Sequence, residues 1–327
     1  MSKLKLIRIG LVTLGLVLAA APRLHAQTVA TAPTRITSAF PTGSGPDVVT
    51  RLIADKLSQR WKQPVIVDSK PGGAGVVAIN SMKNLPPTGN ELVVADVGHL
   101  SINPLVFKNL QYDPVKELTP VALNFKTAFF VVVGSNSKIK NVNDLIAAAR
   151  GSTAGLFYGS SAVGGPIHLA SAQLAAALDV PMTHIAYKEA TQLSVAISTG
   201  EVDWAFLSIA TLKPMLDAGK VRLLAIGDRV RSSAAPDVPT LEEAGGPKNI
   251  DAFAWNALMA PAGTPPAVVN EINRAVNDVL AQPDVRERLT ALSFAIAPMT
   301  PQQVADLMRS ERAKYAEVLK RVKVSLD

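Results

Sequence analysis

Three times along this chain a short apolar run passes through small residues, chiefly glycine, into an amphipathic stretch. The segments are "ITSAFPTGSGPDVVTRLIADKL" (36–57), "VIVDSKPGGAGVVAINSMKN" (65–84) and "GLFYGSSAVGGPIHLASAQL" (155–174). A short apolar run bounded by turn residues reads as a buried strand, and apolar residues recurring every three to four positions read as a helix. Strands that alternate with helices pair in parallel, because the helix supplies the long crossover that parallel pairing needs. The chain is therefore confined to the α/β class, in two or three layers. "QPVIVDS", "GNELVVADV", "MTHIAYK", "VDWAFLS" and "KVRLLAIG" extend the strand set, and "PVALNFKTAFFVVVGS" holds two strand cores.

The first transition admits two readings. Gly43 and Gly45 free the backbone, Ser44 suits a helix cap, and Pro46 fits the first helical position, where its missing N–H costs nothing. Asp47 favours the positive end of the helix. Val48, Val49, Leu52, Ile53 and Leu57 set a helix over about 46–59. On one reading the loop only turns and caps. On the other, unpaired N–H groups of the first turn cradle a phosphate or carboxylate. The loop satisfies neither G-x-G-x-x-G nor a P-loop.

The first residues carry a compartment signal. Lys3, Lys5 and Arg8 precede "IGLVTLGLVLAAAP" and "RLHA", a positive start, an apolar middle and small residues before a cut after Ala26. The apolar run falls short of the roughly 20 residues of a membrane span. A secretory signal peptide over 1–26 is expected, with Gln27 first in the mature chain and the periplasm as destination.

Removing that segment changes the charge balance. The chain has 33 basic and 26 acidic residues, a formal charge of +7, and loss of four basic residues leaves about +3. With no compact basic patch interleaved with aromatics, nucleic-acid binding has little support. There is no cysteine, which excludes disulfides and thiolate chemistry. His25 leaves with the signal, while His99, His168 and His184 are scattered. No metal or cofactor is expected.

About 300 mature residues suggest two domains. "GTPPAVVNEINRAVNDVLAQ" and "TPQQVADLMRSERAKYAEVLKRV" give two closing helices, the second with Thr300 and Gln303 at capping-box spacing. No low-complexity linker sets them apart, so a chain that leaves its first domain, builds a second and comes back is compatible with the pattern. The three glycine transitions then place helix starts around one cleft, with hydroxyls from Ser160 and Ser161. Glycine that simply turns a βα loop explains the same residues.

These segments, with "SINPLVFKNLQYDPVKELTPVAL", "AGKVRLLAIGDRVRSSAAPDVPTLEEAG" and "FAWNALMAPAGTPPAVVNEIN", carry a resemblance over nearly the whole mature chain. The sequence resembles the Bug, or TctC-type, family of extracytoplasmic solute receptors of tripartite tricarboxylate transport. That resemblance implies a type II periplasmic binding-protein fold, with residues 27–125 and 229–327 in one lobe and 126–228 in the other. It also implies a small carboxylated ligand, a membrane permease as partner, and a monomeric receptor; two facing helix starts and a low aromatic content make a dicarboxylate the expected ligand. Thr42, Gly43, Ser44, Gly45, Pro46 and Asp47 are placed by it at one cleft wall, with Gly73 and Ala74 close by. Ser160, Ser161, Gly164 and His168 fall at or behind the opposing wall. Phe40 is implied as wall or core, and Asp203 as a contact to a ligand amine or water, or as a loop orienter.

The chain departs from the family pattern at "YKEAT" (187–191), where relatives carry a glycine and proline, and at "TGNE" (88–91). Asp96 reads as a surface or capping carboxylate and His99 as a loop-ordering hydrogen-bonder. A hydrolase is the rival class, with Ser44, Ser160 or Ser161 as nucleophile, His99 or His168 as base and Asp203 or Asp47 as orienter, yet no G-x-S-x-G elbow is present. A sensing receptor without a transporter needs the same cleft. Aromatic diacids, monocarboxylates of nicotinate type and amino diacids are further ligand classes compatible with the sequence.

Overall fold

The computed structural model describes residues 32–153, 155–322, 324 and 326, so the expected signal peptide lies outside the described residues. The chain opens with β1 (Thr34–Ser38), α1 (Gly45–Trp61), β2 (Val65–Ser69), a short α2 (Val76–Asn80) and β3 (Glu91–Asp96). A wide turn at Gly98–Ile102 and α3 (Asn103–Val106) lead to β4 (Leu118–Ala128). Next come β5 (Phe130–Gly134), α4 (Val142–Gly151), β6 (Leu156–Ser161), α5 (Pro166–Leu178), β7 (Met182–Tyr187) and α6 (Ala190–Thr199). Then follow β8 (Trp204–Leu207), α7 (Ile209–Asp217), β9 (Val221–Ile226), β10 (Phe253–Pro261), α8 (Pro266–Leu280), α9 (Pro283–Ala291) and α10 (Pro301–Arg321).

Two sheets result, with strand orders β2-β1-β3-β10-β4 and β7-β6-β8-β5-β9. In each, the first three strands are parallel and the fourth is antiparallel to both neighbours. One arrangement is thus built twice, with β1 matching β6. The antiparallel strand is in both cases the first that the chain makes after changing sheets. The two crossings clasp each other through the backbone: Phe129 N–H donates to Ala252 O (2.8 Å), Gly227 N–H to Phe129 O (2.9 Å) and Ala252 N–H to Gly227 O (2.5 Å). A Cβ on Gly227 would stand 2.5 Å from that of Ala252, so the crossing admits glycine alone.

Each sheet is covered on both faces, which settles three layers. Along β3, Leu92 and Val94 face a core shared with α1 and α8, while Val93 and Ala95 face one shared with α10. Along β8, Trp204 and Phe206 join the α4 and α5 side, whereas Ala205 and Leu207 join that of α6 and α7. Each leucine, valine and phenylalanine among these contributes about 1.5–3 kcal/mol on burial. Strands buried on both faces read as continuous apolar runs, and this is the pattern in the sequence.

Local deviations have local causes. The helix read from "GGAGVVAINSMKN" is only the five-residue α2, because Gly73, Ala74 and Gly75 at positive φ form a separate turn before it and residues 81–84 a turn after it. Helix α7 escapes the sequence pattern because it is short and carries Pro214 inside. The capping box of α10 is formed: Gln303 N–H donates to Thr300 Oγ1 (3.2 Å), and Thr300 N–H donates to Gln303 Oε1 (2.8 Å).

Candidate functional site

The β1 exit is braced from inside. Asp47 is buried, and its Oδ2 accepts from Gly43 N–H (2.8 Å) and Arg51 Nε (2.9 Å), while Oδ1 accepts from Ser69 Oγ (3.0 Å). Burial alone would push the carboxyl up, but the hydrogen bonds from Arg51, Gly43 and Ser69 outweigh it and hold the group below its ordinary range. Asp47 is therefore a strut beneath the loop. Ser44 stands at the cap position but donates its hydroxyl to Pro41 O (2.7 Å) and does not cap the helix. Among the described residues, Gly45 and Asp47 N–H have no protein acceptor, so the start of α1 presents open donors.

The next turn is shaped by a histidine. Gly72, Gly73, Ala74 and Gly75 have φ of 118°, 55°, 49° and 84°. A Cβ on Gly75 would lie 2.2 Å from His99 Cδ2, so the ring rests on bare backbone. Ala74 O accepts from Asn103 Nδ2 (2.8 Å), which also donates to Tyr112 Oη (2.9 Å), and Tyr112 Oη donates to His99 O (2.7 Å). Burial pushes the Tyr112 hydroxyl pKa up. His99 Nδ1 lies 2.8 Å from Asp96 Oδ1, which also accepts His99 N–H (3.1 Å). The Asp96 carboxyl is pushed up by burial, then drawn below its usual range by His99 and the turn's N–H groups. Phe40 meets the His99 ring edge-on at 5.5 Å. His99 thus joins the exits of β1, β2 and β3, a role its sequence position only hints at through Asp96 three residues earlier.

In the second sheet, Ser160 is fully buried and its Oγ lies 2.6 Å from His184 Nε2. His184 stacks on His168 with centroids 4.2 Å apart, and Tyr158 lies 5.1 Å from His184. His168 Nδ1 accepts Gly164 N–H (2.9 Å). Burial, aided by the neighbouring His184, depresses His168 to about 4, and burial lowers His184 too. Ser160 therefore belongs to an internal polar stack. Ser161, at the strand end, has no side-chain partner among the described residues, and neither Ile167 nor His168 N–H at the start of α5 has a backbone acceptor there.

These two turns come to one seam. A Cβ on Gly98, at the β3 exit, would lie 3.7 Å from Pro166 Cδ at the start of α5, and one on Gly164 would lie 2.8 Å from Leu326 Cδ1. Leu169 of α5 is buried in a core of the first sheet. On the first side Ala74 and Phe40 are tied to the turn at Gly98 through Asn103 and His99, and on the second Gly164 is tied to His168. Thr42, Gly43, Ser44 and Gly45 lie in the loop from β1 into α1, Gly73 beside Ala74 and Ser161 at the end of β6. Asp203 does not join them. Its Oδ2 accepts Phe157 N–H (2.7 Å), and its N–H donates to Phe157 O (2.9 Å), at the opposite end of β6 from Ser161. The reason is the strand direction, which sends the loop before β8 away from the loop after β6. Sequence reasoning also missed the start of α7, where Ser208 Oγ accepts Thr211 N–H (3.3 Å) and Ala210 packs on the first sheet's core.

The serines and histidines of the rival hydrolase reading are not assembled for attack. The buried hydroxyl of Ser160 faces His184, while Asp47 and Asp203 are engaged elsewhere. Among the described residues there is no group of three His, Asp or Glu able to hold a metal.

A family model for the tripartite tricarboxylate transporter family receptor, TctC, matches residues 49–324. The chain belongs to the TctC family. The UPF0065 protein in the tcbD-tcbE intergenic region of a Pseudomonas species is 30% identical over 280 residues, 86% of this chain and 83% of that relative. The R. palustris protein Rpa4515, solved with adipate, superposes with a TM-score of 0.82 at 27% identity, over 90% of this chain and 98% of the other. MatC (Rpa3494) from Rhodopseudomonas palustris, with bound malate, gives 0.77 at 28% identity over 88% and 98%. The doubled mixed sheet is accordingly the type II periplasmic binding-protein fold, and this TctC chain is a solute-binding transport receptor.

Proposed function

We propose that this TctC receptor works in the periplasm, binds a small dicarboxylate across the seam between its two sheets and delivers it to a membrane permease. The observation that carries the reading is a pair of helix starts, α1 after a strand of the first sheet and α5 after a strand of the second, each with open N–H donors and no side-chain cap. Two such ends, with Ser161 and the turn at Gly73 and Ala74 beside them, match two carboxylates of one ligand. Relatives solved with adipate and with malate support the ligand class. In this reading residues 32–128 and 253–326 form one lobe and 130–252 the other. The segment 229–252 sides with the second lobe and not, as expected, the first, since Leu241, Ile250 and Ala252 lie in its core and Thr240 bridges Ile226. The two lobes turn about the clasp at Phe129, Gly227 and Ala252. Closing on the ligand shifts the population toward the form with more contacts.

The test is a thermal-shift and calorimetric panel of aliphatic, aromatic and amino mono-, di- and tricarboxylates on the mature chain. A true ligand raises the melting temperature progressively with concentration. Small-angle scattering at saturation then shows compaction. Silence of every diacid beside a strong response to a neutral sugar or nucleotide overturns the assignment.

A further inference from the structure

A second concavity lies on the first lobe, away from the seam. It is a groove of about 570 Å³ between α10 and the segment 100–120, lined by Leu100, Leu105, Val115, Leu118, Met308 and Ala313 among others. Its floor is core: Leu100, Leu118 and Met308 are at most 6% exposed, whereas Val115 on the rim is 60% exposed. The α10 wall runs from Ala305 to Ala316, about 16 Å of helix at 1.5 Å per residue. Small alanine side chains keep that wall low and the groove open.

Two arginines of the α10 wall give the groove its charge. Arg309 and Arg312 are its ionic lining residues. Arg309 pairs with Asp306, but Arg312 has no partner among the described residues. Arg312 and Pro114 also line a second, polar cavity of about 540 Å³ with Lys108, Gln111, Asp113 and Glu117. The two carboxylates there are engaged, Glu117 by Lys83 (3.1 Å) and Asp113 by Lys116 (3.4 Å). The apolar trough is thus bordered by a half-buried, unpaired Arg312 that it shares with a polar pocket.

We infer that this groove is a binding site for an amphiphilic monocarboxylate, with its alkyl chain along α10 over Leu100, Leu118 and Met308 and its carboxylate on Arg312. The layout favours this occupant on two counts. Apolar lining contributes affinity in proportion to buried chain length but gives no place to a compact diacid. Arg312, the unpaired one of the two lining guanidiniums, suits a single carboxylate, which it grips through paired N–H donors. The site is independent of the dicarboxylate seam and does not rest on that assignment.

Decanoate, octanoate and octanol, each below its aggregation threshold, are the probes. In protein carrying labelled methionine methyls, decanoate shifts the Met308 signal and leaves Met82 and Met215 in place. Octanoate binds roughly tenfold more weakly, as expected for two fewer buried methylenes, and octanol more weakly than octanoate. Arg312→Gln, which keeps an aliphatic stem, weakens octanoate about tenfold and leaves octanol unchanged. Ala313→Trp, on the exposed wall, blocks all three. The inference is overturned by an unmoved Met308, by octanol binding as tightly as octanoate, or by removal of the shift with excess adipate, which would locate the probe in the seam. A shift of Met308 by an acidic amphipathic peptide or phospholipid vesicles, but not by decanoate, would equally overturn it.

Discussion

Asp47 and His168 hold the same position on the two halves of the molecule. Each is the third residue of its helix, and each accepts the N–H of the glycine four residues before it, at 2.8 Å for Gly43 and 2.9 Å for Gly164. Both glycines have φ of 81°. One device, a left-handed glycine tied back to its helix, therefore shapes both turns, with a permanent anion on one side and a neutral imidazole on the other.

The strut role of Asp47 predicts that Asp47→Ala destabilises the fold by about 1–3 kcal/mol, because Gly43 N–H and Arg51 lose a buried acceptor. Asp47→Asn retains one oxygen and costs less. Since the folded carboxyl pKa is lowered, its stabilisation is complete above the unfolded value of 3.8 and disappears as pH falls through the folded one. Urea titrations of the three proteins at pH 7 and pH 3 check both statements. Equal stability of parent and alanine variant at pH 7 removes the strut.

His168 predicts a separate acid sensitivity. Its pKa falls from 6.5 to about 4 on folding, so the unfolded chain binds more protons between those values and stability declines as pH drops from 6.5 towards 4. The loss is on the order of 3 kcal/mol at full extent. His168→Gln keeps an acceptor for Gly164 without a titrating ring and flattens this slope, as read by denaturation midpoints across the window. A variant with the parent's full pH slope would show that other groups are responsible.

Glycines 43 and 75 separate backbone strain from collision. Both have positive φ, but a Cβ on Gly43 meets nothing within 4 Å whereas one on Gly75 strikes the His99 ring. Gly43→Ala is expected to cost about 1 kcal/mol. Gly75→Ala costs more and displaces the imidazole, visible as a change in the chemical shifts of the His99 ring protons. Comparable losses in the two variants contradict this account.

Ser160 and Ser161 predict opposite phenotypes. Ser160→Ala leaves His184 without its hydroxyl partner and lowers stability by about 1–3 kcal/mol with modest change in affinity. Ser161→Ala leaves stability near the parent's and weakens the ligand found in the carboxylate panel by about 1–2 kcal/mol. Calorimetry and chemical denaturation distinguish them, and reversed phenotypes would exchange the two roles.

The alternation of strand and helix, the first and fifth helix starts and the α10 capping box were legible in the sequence, because each depends on residues within one turn or one strand. Apolar periodicity reports which side of an element is buried, and glycine, proline and capping residues act on their neighbours in the chain. The partners of the site residues were not legible. Parallel pairing of β6 with β7 sets Tyr158 opposite His184, and the stack that occupies Ser160 follows from that register. Likewise the pairing of β1 with β2 sets Ser38 opposite Ser69, which brings Ser69 to Asp47, and the direction of β6 carries Asp203 away from the seam. Strand order and register are choices among long-range contacts of similar local cost, so the sequence pattern determined the elements and the turns, while only the tertiary structure decided which side chains meet.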